Sequence, residues 1–132
     1  MIEEITHNVE EFVKEYFGES FKFRTQQKEA IIEIIDTVLN KDTQTQIVQA
    51  PTGAGKSLIN IISAGVLNKY YNKRSFILAS DLSLWDQYAD FINKNPRLQG
   101  VVFLICLQDR FLAAAFMLLL ICPVAFYTIT YP

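Results

Sequence analysis

Apolar residues at Ile2, Ile5, Val9, Phe12, Val13, Tyr16 and Phe17 recur at the three- and four-residue spacing of one helix face, and Gly18 supplies a stop. A loop then runs to Arg24. The spacing predicts a second helix over about 25–40, with Ala30, Ile31, Ile34, Ile35, Val38 and Leu39 on one side. The polar stretch Asn40 to Thr45 connects it to Thr45-Gln46-Ile47-Val48-Gln49, which reads as a strand. A helix from Leu58 to Tyr71, a strand over 75–80 and a helix over 82–94 follow, and Asn95-Pro96-Arg97 ends the last. Strands alternating with helices of these lengths predict an α/β fold, a parallel sheet with flanking helices. A ligand site is then expected at the carboxyl ends of the strands.

The pattern changes near Gly100. From Phe111 to Pro132 no residue is charged, and 111–122 is apolar on every side. Three readings stand side by side. The tail completes the sheet as strand, helix and strand over 101–107, 110–121 and 124–130; it associates with a membrane; or the reading frame went astray near Gly100. About 20 apolar residues suffice for a span, but Pro123, Thr128 and Thr130 count against one.

Between the first predicted strand and the helix after it lies Ala50-Pro51-Thr52-Gly53-Ala54-Gly55-Lys56-Ser57, the Walker A pattern. The chemistry needs this spacing. Thr52, Gly53, Ala54 and Gly55 let backbone N–H groups converge on phosphate oxygens, and the helix that follows adds donors and a partial positive charge. Lys56 is placed to reach the β- and γ-phosphates as a point charge, and Ser57 to offer its hydroxyl to Mg²⁺. The expected ligand is a nucleoside triphosphate with its magnesium ion, and the candidate catalytic residues are Lys56 and Ser57.

The wording of this loop resembles that of superfamily 2 helicases and translocases. Two further segments carry the resemblance, which extends over 21–95. Phe23-Arg24-Thr25-Gln26-Gln27-Lys28-Glu29-Ala30-Ile31 is similar to the family's adenine-reading segment, an arginine followed three residues later by a glutamine before a helix. A carboxamide carries both donor and acceptor, so Gln27 matches adenine's edge. Arg24 packs near the base or fixes the turn, and Phe21 or Phe23 is a candidate to stack on the ring. Downstream, Ser80-Asp81-Leu82-Ser83-Leu84-Trp85-Asp86-Gln87 is similar to the next family motif, with Leu84 and Gln87 as its Leu-x-x-Gln pair. Ser80 and Asp81 stand where proline and threonine are common. In the family this turn touches the phosphate backbone of the tracking strand, a role that suits the Ser80 and Ser83 hydroxyls. The wording is nearest to the XPD/DinG-like and phage-like branch.

The resemblance implies a RecA-like ATP-binding domain over 1–132, cut short, with 101–132 as its apolar tail. It implies ATP and Mg²⁺ as ligands and nucleic acid, single-stranded DNA first, as partner. The family hydrolyses ATP with an Asp-Glu pair on a later strand and an arginine from a second motor domain. No Asp-Glu dipeptide follows the loop in these 132 residues. The expectation is therefore an N-terminal piece of a helicase motor that binds ATP and does not hydrolyse it alone. The alternative is a stand-alone or membrane-tethered nucleotide-binding module of another phosphate-loop family.

Composition adds limits. The net charge of −2 gives no global basic field, so nucleic-acid contact would have to be local. Cys106 and Cys122 are two where the iron–sulfur cluster of some XPD/DinG-like helicases needs four, and they read as small apolar residues. His7 reads as a surface residue, and no metal-ligand cluster is visible. Residues 1–20 are acidic and amphipathic, not a secretory signal, so a cytoplasmic protein is expected.

Overall fold

The computed structural model describes residues 1–42, 46–79, 82–98 and 103–106. Its elements in chain order are α1 (Ile2–Phe17), α2 (Gln27–Asn40), α3 (Lys56–Tyr71), β1 (Phe76–Ala79), α4 (Leu82–Lys94), a 3₁₀ turn (Pro96–Leu98) and β2 (Phe103–Cys106).

The middle of the fold is α3. Ile59 and the unbroken run from Ile61 to Leu67 are buried, which is the mark of a helix covered on all sides. Helices α1 and α2 pack on it and on each other, and β1 also contacts it. From α1 come Ile5, Val9, Phe12 and Val13, and from α2 come Ile31, Ile34 and Ile35. Burying each such side chain removes apolar surface worth about 1.5–3 kcal/mol from water. Polar contacts rim this core: Lys69 pairs with Glu15, Tyr70 donates to Glu11 at 3.2 Å, and Asn8 donates to the Tyr71 hydroxyl at 3.0 Å.

Strands β1 and β2 pair in parallel, with Phe76 opposite Phe103 and Ala79 opposite Cys106. Parallel neighbours need a crossover, and α4, which contacts both strands, is that crossover. An aromatic chain ties α1 to α4. Phe12 stacks on Tyr16 at 4.3 Å between centroids, and Phe17 lies 5.3 Å from Phe21 and 5.7 Å from Phe91.

The ends of α1 and α4 fall where the periodicity placed them, and Gly18 caps α1 at φ 91°. The strand expected over 45–49 is not formed: among the described residues, Gln46 to Ala50 belong to no strand. A strand exists only by pairing, and among the described residues none pairs with this segment, with Ile47 82% and Val48 39% exposed. The sheet among the described residues therefore has two strands, β1 and β2, and helix dominates. The helix and strand expected over 110–121 and 124–130 lie outside the described residues.

Candidate functional site

The loop before α3 is shaped by glycine. Gly53 and Gly55 adopt φ of 84° and 80°, the left-handed region that side chains with a Cβ disfavour. The Ala54 N–H donates to the Pro51 carbonyl at 3.2 Å, closing the turn. The Gly55 carbonyl then accepts from Leu58 and Ile59 N–H at 3.0 and 3.1 Å, which starts α3. This puts Lys56 and Ser57 in the first turn of α3, both half-buried, while Thr52 and Gly53 are exposed. Among the described residues the Lys56 ammonium has no hydrogen-bond or ion-pair partner.

The structure brings Arg24 and Gln27 to the same loop. The Arg24 guanidinium donates from Nη1 to the Gly53 carbonyl. Gln27 is only 3% exposed. Its Oε1 accepts from the Arg24 backbone N–H at 3.1 Å, and its Nε2 faces the Ala54 and Gly55 carbonyls at 3.5 and 3.3 Å. Arg24 and Gln27 are held in this pose by a tight turn in which the Gln27 N–H donates to the Arg24 carbonyl at 3.0 Å. Between them Gln26 takes φ 63°, ψ 0°, a left-handed conformation that costs an L-residue about 1–2 kcal/mol. The two aromatic candidates for a ring contact, Phe21 and Phe23, pack edge to face on each other at 5.2 Å.

Ser83 lies exposed in the first turn of α4. Ser80, its expected companion, lies outside the described residues, as does Asp81. A contact missed by the sequence reading joins the two helices that leave the site. Asn60 of α3 donates to the hydroxyl of Tyr88 of α4 at 2.8 Å, and Tyr88 is 2% exposed. Asn60 lies one turn beyond Lys56, a spacing that marks it as a neighbour of the loop. No group of metal-binding side chains occurs among the described residues. None of their helices is long and apolar enough to cross a membrane.

Glycine-shaped loop, lysine and serine at a helix start, and an upstream Arg–Gln turn folded onto that loop form one unit. A family model described as type III restriction enzyme, res subunit, matches residues 20–98, more than half of the 132. The chain belongs to that family. The matched res-subunit segment is helicase-like, in agreement with the resemblance to a helicase motor. It covers the whole site, from Arg24 to Ser83, and excludes α1, which nevertheless supplies four buried residues of the core. No curated protein and no solved structure matches the chain.

Proposed function

We propose that the chain is the ATP-binding part of a nucleic-acid translocase motor, with a RecA-like arrangement. The observation that carries this reading is the loop 50–57 at the start of α3, the helix whose run from Ile61 to Leu67 is buried. Its glycines are in the conformation that lets backbone N–H groups gather, and its lysine has no partner among the described residues. Lys56 would hold the phosphates by its charge, and the Ser57 hydroxyl would help to hold Mg²⁺, which would supply further neutralisation of the phosphate charge. The parallel β1–α4–β2 unit, with β1 packed on α3, supports the RecA-like assignment.

Single-stranded DNA is the proposed second ligand. Ser83, exposed in the first turn of α4, offers its hydroxyl to a backbone phosphate. The finer assignment to the XPD/DinG-like branch rests on the wording of residues 80–87. Binding of Mg-ATP, measured by calorimetry on the whole chain, tests the central reading. Lys56→Ala should abolish it, and equal affinity in the variant would overturn it.

A further inference from the structure

The carboxamide of Gln27 is spent on the protein itself. Its oxygen accepts from the Arg24 N–H, its nitrogen faces two loop carbonyls, and the side chain is nearly closed to solvent at 3%. The two loop distances are longer than the usual 2.9–3.0 Å, so each bond alone is weak. Packing adds to them. A Cβ built on Gly55 would lie 2.5 Å from Gln27 Nε2 and 3.9 Å from Arg24 Cδ. The glycine and the glutamine thus fit each other closely. Arg24 grips the same loop two residues earlier, at the Gly53 carbonyl.

We infer that Gln27 is a positioning residue that sets the shape of the phosphate loop from behind, and that it does not read the base. The Ala54 and Gly55 carbonyls held by Gln27 turn toward it, which leaves the opposite faces of those two peptides, the Gly55 and Lys56 N–H groups, for phosphate oxygens. The strained Gln26 is what turns the carboxamide toward the loop instead of outward. This deepens the proposed function and rests on it, since a loop that binds no phosphate needs no such brace.

The two roles separate on a ligand without a base. Affinities of the whole chain for Mg-ATP, Mg-GTP and magnesium tripolyphosphate are measured for wild type, Gln27→Ala and Lys56→Ala. A brace requires that Gln27→Ala lose about three- to tenfold on all three ligands alike, the worth of one to two modest hydrogen bonds. Wild type should then hold ATP and GTP with similar affinity. A loss confined to ATP, or a preference for ATP over GTP that vanishes in Gln27→Ala, overturns the inference while leaving the proposed function intact. Lys56→Ala separates the two failures: if it binds all three ligands as wild type does, the proposed function itself falls, and the brace with it.

Gln27→Glu provides a readout that lost stability alone would not move. It keeps the acceptor for Arg24 but lacks the donor while ionised. Its tripolyphosphate affinity should therefore fall below that of wild type at neutral pH even where its midpoint of urea unfolding matches wild type. Wild-type affinity in this variant means that the loop does not require the donor, and overturns the inference.

Discussion

Gly65 of α3 lies directly under the ring of Phe12 of α1. A Cβ at Gly65 would fall on that ring, 2.8 Å from Cε2 and closer still to Cζ. Phe12 is fully buried, so the ring has no room to withdraw. The absent side chain is what lets α1 reach the central helix. Gly65→Ala should therefore destabilise the chain, although alanine is the better helix former by about 1 kcal/mol. Overpacking costs about 1–3 kcal/mol, so the net loss should be up to about 2 kcal/mol in urea unfolding. Phe12→Leu, which removes the ring, should shrink the penalty of Gly65→Ala. Additive effects in that double-mutant cycle would disprove the contact.

Gln26 offers the opposite case. Replacing it with glycine relieves the left-handed strain and adds chain entropy to the unfolded state. The strain, about 1–2 kcal/mol, outweighs the entropy, about 0.4–1 kcal/mol. Gln26→Gly should raise the midpoint of unfolding slightly. A clear loss of stability would show that the side chain of Gln26 makes an essential contact.

The pair between Glu10 of α1 and Lys28 of α2 predicts a small pH effect. The Lys28 hydrogen bond, and then its charge, holds the Glu10 carboxyl below its ordinary value. The folded state thus binds this proton less readily than the unfolded one. The stabilisation is complete above the ordinary carboxylate range and fades as pH falls through the lowered folded value. Glu10 is 56% exposed, so only a few tenths of a kcal/mol are at stake. Glu10→Gln should cost that much at neutral pH and nothing in strong acid. A deficit that persists in acid would point to packing and not to the ion pair.

Hydrolysis should be absent from the 132-residue chain. The loop positions phosphates, but no Asp-Glu pair follows it in this sequence, and losing the groups that orient water or neutralise the γ-phosphate costs about three to five orders of magnitude. DNA-stimulated release of phosphate should stay at background. Robust turnover sensitive to Lys56→Ala would direct attention to Asp109. In the same preparation, Ser57→Ala should weaken the magnesium dependence of binding more than the affinity measured in EDTA.

Local signals were legible in the sequence. The stop at Gly18 and the helix ended by Asn95-Pro96 each rest on a residue's own conformational preference, whereas α3 begins at Lys56, ahead of the expected Leu58. The segment over 45–49 has strand-like composition, but a strand is made by its neighbours, and composition does not carry those. Gln27 shows a second limit. Its type and spacing marked it as part of the site, yet the direction of its carboxamide depends on the left-handed turn at Gln26. Asn60 and Tyr88 are 28 residues apart, and no local pattern announces that they meet.

The exposed segment from Ile47 to Gln49 makes the chain easy to nick, with Ile47 the most exposed large apolar residue among those described. A protease cutting there would sever α1 and α2 from everything that follows. The halves should not separate, because their shared core is built across the cut: Phe12 against Gly65, Lys69 with Glu15, Gln27 behind the loop. A clipped molecule would run as two bands on a denaturing gel and as one species in solution. Two separately expressed pieces, 1–46 and 47–132, should find each other and bring Arg24 and Gln27 of the first back onto the phosphate loop of the second.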